Sequence, residues 1–438
     1  MSSNKLEGKK LAQGLNRQAL EAFWMPFTGN RHFKEDPRMI VGADGAYFTD
    51  DKGRRIYDSL SGLWCTPLGH ANPDIVAAVS EQIGTLDYAP GFQFGHPLAF
   101  ELANRLTSMT PDGLDYAFFV NSGSDAADTS MKMARAYWRL KGQPSKTKLI
   151  GRAKGYHGVN FAGTSLGGIG PNRKLFGLLT DTDHLPHTLL EENAFSKGSP
   201  QYGGLELADA LEEIVALHDA SNIAAVIVEP VAGSAGVIPP PAGYLGRLRE
   251  LCDKYDILLV FDEVITGFGR TGNAFAAQTF DVKPDIMNLA KALTNGTIPM
   301  GAVVADKTIY DTFMAGAELD HQIEFPHGYT YSAHPVACAA ALATLEVYER
   351  EDMWQKATEL AGHLERAVHE LRDEPYVTDI RNYGMAAAVQ LEGIPAEPGK
   401  RPLQATIKCW QKELYVRCGG DTIQLAPPFI STPAEIET

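Results

Sequence analysis

Ile257-Leu-Leu-Val-Phe261 runs straight into Asp262-Glu-Val-Ile-Thr-Gly-Phe-Gly-Arg270, so a fully apolar stretch ends in a carboxylate pair and then a glycine-bearing turn. With no two-residue polar alternation, this strand cannot keep one face in water and belongs at the centre of a sheet. Ala224-Ala-Val-Ile-Val228 reads the same way. Outward from these two, apolar runs at 116–120, 148–151, 223–228, 257–261, 286–289 and 301–305 alternate with amphipathic stretches at 125–141, 206–218 and 243–255. The alternation predicts an α/β fold, a mostly parallel sheet with helices on both faces. A long helix from Pro335 through Tyr348, a second over 354–372 and a strand at Ala386-Ala-Ala-Val-Gln-Leu391 predict a smaller domain after it.

In sheets of this kind ligands gather beyond the carboxyl ends of the strands. Ser122–Ser124, Glu229, Asp262 and Lys291 each follow an apolar run at once, so one cleft can collect all of them. A strand-end acid followed by a lysine at the end of the next strand is what pyridoxal phosphate (PLP) requires. The amine forms a Schiff base with the aldehyde, and the acid keeps the pyridine nitrogen protonated. Each residue also has a plainer reading alone: a solvated lysine, or a turn or Mg²⁺-binding Asp-Glu pair. The small-residue turn Asn121-Ser-Gly-Ser124 leads from a strand into a long helix. It aims backbone N–H groups and the helix dipole at one point, making Ser122, Gly123 and Ser124 a phosphate cup, with N-capping as the plainer alternative. A buried Asp262 needs a fixed cation beside it, and the pyridinium is one. Glu263 points the other way by the two-residue period and is structural.

Along nearly its whole length the chain resembles the class III, fold-type I PLP aminotransferases, and within them the omega-amino acid:pyruvate aminotransferases. The likeness is carried, in order, by Phe23-Trp-Met-Pro-Phe-Thr28, Gly62-Leu-Trp-Cys65, Ala89-Pro-Gly-Phe-Gln-Phe-Gly-His-Pro97, Gly155-Tyr-His-Gly158 and Val228-Glu-Pro230. It continues through Phe261-Asp-Glu-Val-Ile-Thr-Gly-Phe-Gly-Arg-Thr-Gly272, Ile298-Pro-Met-Gly-Ala302, His327-Gly-Tyr-Thr-Tyr-Ser-Ala-His-Pro335 and Tyr415-Val-Arg-Cys-Gly-Gly-Asp421.

The resemblance implies a large PLP-binding domain over 61–335 and a smaller α+β domain built from 1–60 and 336–438. It implies that Tyr156 and Val264 sandwich the PLP ring, that Glu229 belongs to the cofactor site, and that Thr330 reaches the phosphate of a neighbouring subunit. The active sites would then be shared within a homodimer, with a homotetramer as the alternative assembly. His157 stays open between contact with the cofactor oxygen and simple packing. Arg417 is expected to bind the substrate carboxylate, for which a planar, always-charged fork is suited. Phe27, Trp64 and Phe92 are expected to line the substrate pocket. Ornithine- and 4-aminobutyrate-type relatives place a glutamate where this chain has Ser234, so Arg417 has no built-in anionic partner there and is free to swing aside for a neutral amine. The implied reaction moves nitrogen from an omega-amino acid such as beta-alanine, or from a primary amine, through PLP to pyruvate. Lys291 would be both nucleophile and proton carrier. Diaminopelargonate synthase, 4-aminobutyrate-type aminotransferase and glutamate-semialdehyde aminomutase are the rival readings within the class. A nucleotide- or metal-binding module using Asp262-Glu263 is the rival outside it, and would need neither Lys291 nor PLP.

Composition agrees with a large globular enzyme: 438 residues, 44% hydrophobic and 21% charged, with a net charge of −15 that opposes nucleic acid and anionic membranes. Five cysteines without a Cys-x-x-Cys pair predict neither a disulfide framework nor a zinc ribbon and fit a reducing cytoplasm. The polar N-terminal residues carry no apolar leader core, and no run of eighteen apolar residues occurs. The stretch 163–204 reads as a long Gly/Pro/Asn/Ser-rich loop with a functional or interface role, and His184-Leu-Pro-His187 as loop surface rather than a metal site. Thr432-Pro433 reads as the first turn of a helix, which the resemblance implies continues past Thr438.

Overall fold

The computed structural model describes Gly8 and residues 15–438. A seven-stranded sheet runs in the spatial order Tyr116–Val120, Gly301–Ala305, Ile286–Leu289, Leu258–Asp262, Ile223–Val228, Lys148–Arg152, Thr182–Leu185. Gly301–Ala305 is antiparallel to both neighbours, and every other pair is parallel. Ile223–Val228 and Leu258–Asp262 are buried at every residue, as runs without polar alternation must be. Val226, Val228, Leu259 and Phe261 face one apolar cluster, with helices Gly204–His218, Tyr244–Lys254 and Pro335–Arg350. Ala225, Ile227, Leu258 and Val260 face the other, with helix Gly123–Leu140. The two-faced α/β sheet expected from the apolar runs is therefore present.

The stretch 163–204 departs from expectation. It holds helix Gly170–Phe176 and the parallel edge strand Thr182–Leu185, and helix Phe161–Leu166 runs into it. A half-buried four-residue edge strand needs no apolar run, so this one left none to read. His184 sits within that strand rather than on a loop surface, its Nε2 2.7 Å from the Leu166 carbonyl.

Both chain ends meet in the smaller part of the molecule. Strands Ile40–Asp44, Tyr47–Asp50 and Arg55–Asp58 form an antiparallel ribbon, and Leu414–Tyr415 adds to its edge parallel to Arg55–Asp58. The last sheet is antiparallel, in the order Val377–Tyr383, Ala386–Leu391, Thr422–Leu425, Arg417–Gly419. Ala387 and Val389 pack behind it on helix Met353–His369. Ala386 and Ala388 face forward into a cluster with Trp64, Val231 and Ile265. Arg417 pairs with Gln424 and Gln424 with Ala388, so all three share the forward face. Thr432 caps Pro433–Ile436 in a capping box with Glu435. No helix among the described residues is long and apolar enough to cross a membrane.

Candidate active site

Seven of the expected residues meet at the carboxyl end of the large sheet. Gly123, Ser124, Tyr156, Glu229, Asp262, Val264 and Lys291, joined by Gly158 and Ile265, line a cavity of about 190 Å³. Asp262 ends its strand 5% exposed, with Oδ2 2.7 Å from His157 Nδ1 and Oδ1 accepting from the Val264 N–H at 3.2 Å. His157 therefore stands behind Asp262 and braces it. The other ring nitrogen, Nε2, is buried without a partner. Glu229 reaches the cavity wall, but its two oxygens accept from the Tyr156 and Gly233 N–H groups at 2.9 and 3.0 Å. Its part is to fix the turn that presents Tyr156. Glu263 is fully buried on the far side, accepting from Ala276 N and Ala277 N, and burial pushes its carboxyl up to about 7.

Lys291 opens a short 3-10 turn with φ 50°. A side-chain-bearing residue there carries strain of roughly 1–3 kcal/mol, which the packed strand before it and the turn after it impose. Burial pushes its ammonium below the usual lysine range, against the opposing pull of Asp262 and Glu229. Ser122 is the helix N-cap, its Oγ accepting from Asp125 N at 3.1 Å, and its side chain turns toward its own helix. Gly123 and Ser124 line the cavity, at the start of an 18-residue helix. Gly123 has to lack a side chain, since a Cβ would stand 2.8 Å from Val264 Cγ1.

A second, larger cleft of about 710 Å³ shares Tyr156 and Lys291 with the first and opens outward past Phe27, Trp64, Ser234 and Arg417. Arg417 faces Tyr156 closely enough that its charge opposes the burial that raises the phenol's pKa. Its strand partner Gln424 donates to the Ser234 carbonyl at 2.8 Å, tying this hairpin to the turn at Ser234. Trp64 is 2% exposed at the end of a kinked turn that Arg270 holds through Ser61 Oγ at 3.2 Å. Lys154, Asn172, Gln390 and Asp421 also line this cleft. None was expected, because polar residues in loops and at strand ends carry no pattern.

Two expected residues lie elsewhere. Thr330 is exposed, its carbonyl accepting from Tyr88 Oη at 3.0 Å. Phe92 does not line its own chain's cleft; it is 56% exposed, and its ring covers Gly328, where a Cβ would meet it at 2.7 Å. The reason is packing: the segment around Tyr88–Phe92 lies on the segment around Gly328–Ser332, which carries both residues away from Lys291 to an exposed face.

A lysine and a braced acid thus line one cavity at the carboxyl end of an α/β sheet, with a helix N-terminus at its edge and an arginine in the adjoining cleft. The family profile for aminotransferase class-III matches residues 29–438, and the chain belongs to that family. It is 59% identical to a beta-alanine–pyruvate aminotransferase of Pseudomonas aeruginosa, over 95% of this chain and 93% of that protein. It is 56% identical to an omega-amino acid–pyruvate aminotransferase of Pseudomonas putida, over 98% and 95%. The omega transaminase of Pseudomonas jessenii, solved in complex with PMP, superposes with a TM-score of 0.91 at 33% identity, over 97% of this chain and 95% of that one.

Proposed function

We propose that this chain transfers the amino group of an omega-amino acid such as beta-alanine, or of a primary amine, to pyruvate, with PLP held in the smaller cavity and the substrates in the larger cleft. The observation that carries the reading is Lys291, which alone with Tyr156 belongs to both spaces and stands beside the braced Asp262. The residues fit the cofactor: Tyr156, Val264 and the Asp262 carboxyl group line one cavity of about 190 Å³, beside a cradle at Gly123 that a side chain would fill. When bound, PLP supplies an aldehyde that takes up the amino group and a pyridinium ring that draws electrons from the bond being broken.

The rest is the chain's own work. Burial favours the neutral Lys291 amine, the form able to attack a carbonyl carbon and then carry a proton at Nζ. His157 holds Asp262 in place, so that its carboxyl group lines the cavity. Backbone N–H groups at Gly123 and Ser124 offer the phosphate the positive end of the helix. Trp64 and Tyr156 keep the cleft apolar around the reacting carbon, and Arg417 takes the carboxylate of beta-alanine or pyruvate. The exposed positions of Thr330 and Phe92 support a homodimer in which each completes the partner's site, consistent with domain boundaries at 60 and 335. The cleft's neutral Ser234 favours this over a 4-aminobutyrate-type reaction. A panel of beta-alanine, 4-aminobutyrate and benzylamine, each with pyruvate and with 2-oxoglutarate, tests the proposal. Activity with 2-oxoglutarate and none with pyruvate would overturn it.

A further inference from the structure

The substrate cleft contains two cationic side chains besides Lys291, and the proposed reaction uses one of them. Arg417 stands on the small-domain wall, and Lys154, two residues before Tyr156, stands on the large-domain wall. Lys154 is half-buried and held in the left-handed backbone region at φ 67°, its N–H donating to the Gly168 carbonyl at 3.1 Å. Gly168 lines the same cleft, and a Cβ on it would strike Lys154 N at 2.4 Å, so the backbone of this wall is closed tightly. Backbone strain of this sort persists where the surroundings impose it, and such residues cluster at ligand sites.

The Lys154 ammonium forms no ion pair or hydrogen bond among the described residues. The charged and titratable groups around it do not neutralise it. His187 nearby is held neutral by burial and by the Lys154 charge itself. Asp421 also lines the cleft, with Oδ1 accepting from Gly399 N at 3.1 Å, and it makes no ion pair with Lys154. A cation partly withdrawn from water in a cleft of about 710 Å³, paired with no carboxylate among the described residues, is best matched by an anionic ligand.

We propose that Lys154 forms a second carboxylate subsite, which receives the carboxylate of omega-amino acids whose chains are too long for Arg417. The inference rests on the amino-transfer reading above. Lysine suits the task, because a compact charge on a flexible four-carbon stem follows carboxylates at varied reach, whereas the arginine fork demands one geometry.

The test compares holoenzyme and its Lys154→Gln and Lys154→Arg variants on beta-alanine, 6-aminohexanoate and 1-aminohexane with pyruvate. Lys154→Gln should lower kcat/KM for 6-aminohexanoate about tenfold or more, the scale of one charge-assisted contact, and change the other two by less than about twofold. Lys154→Arg should restore most of the loss. An unchanged 6-aminohexanoate rate, or equal losses on all three donors, overturns the subsite. A wild-type enzyme inactive on every donor would sink the transamination reading instead. The subsite is then decided by titrating hexanoate against tryptophan fluorescence, where wild type should bind it about tenfold or more tighter than Lys154→Gln, and equal binding would overturn the subsite.

Discussion

Replacing Arg417 with alanine should split the substrates by charge. The guanidinium faces Tyr156 across the cleft, is half-buried, and has no acidic partner among the described residues, with the neutral Ser234 lining the same cleft. No internal ion pair has to break before a carboxylate binds, so the full contact appears in the difference between wild type and variant. A charge-assisted, bidentate contact in such a shielded place is worth about 2–3 kcal/mol. At about 1.4 kcal/mol per factor of ten, kcat/KM for beta-alanine and pyruvate should fall roughly 30–150-fold. A carboxylate-free amine has no such contact to lose, and its half-reaction should change by less than about fivefold. Rapid-mixing absorbance of the cofactor, with each donor and no pyruvate, measures this step directly. Equal losses for beta-alanine and the amine would mean that Arg417 supports the wall, for instance through Gln424 and Ser234, and does not read the carboxylate.

Three further outcomes follow from the same geometry. Lys291→Ala should abolish turnover while retaining PLP noncovalently, and borohydride should no longer fix the cofactor to the protein; peptide mapping that finds it fixed to another lysine would refute the assignment. His157→Asn removes the brace 2.7 Å from Asp262, and should weaken PLP retention about tenfold or more in equilibrium dialysis with the fold intact by circular dichroism. Unchanged retention would make the histidine mere packing. Lys291→Ala and Thr330→Glu chains, each inactive alone, should regain activity when refolded together into mixed dimers; verified mixed dimers without activity would show that Thr330 serves its own subunit.

Sequence patterning located the centre of this site well and its periphery poorly, for physical reasons. Glu229, Asp262 and Lys291 stand at the ends of fully buried strands, and burial on both faces leaves an apolar run that no surface element imitates. Strand Thr182–Leu185 sits at the sheet edge with only Leu185 buried, so it resembled a loop. His157 could not be assigned because a ring's direction depends on the neighbouring strand's register, not on its own sequence. Ser122 caps its helix, and sequence alone does not separate that role from a phosphate contact, since the same serine before a helix satisfies both patterns. Phe92 and Thr330 belong to an exposed face, and nothing in one chain's periodicity says which subunit's cleft a residue serves. Lys154 left no trace, because a lysine in a loop is ordinary until the fold closes a cleft around it.

The central claim is that nitrogen passes from donor to acceptor through this protein. The direct measurement loads the holoenzyme with ¹⁵N-labelled beta-alanine, removes free donor by gel filtration and then adds unlabelled pyruvate. The account predicts ¹⁵N-alanine in an amount close to one equivalent per chain, with none from Lys291→Ala. Alanine without label, or no alanine from a protein that has retained PLP, would contradict it.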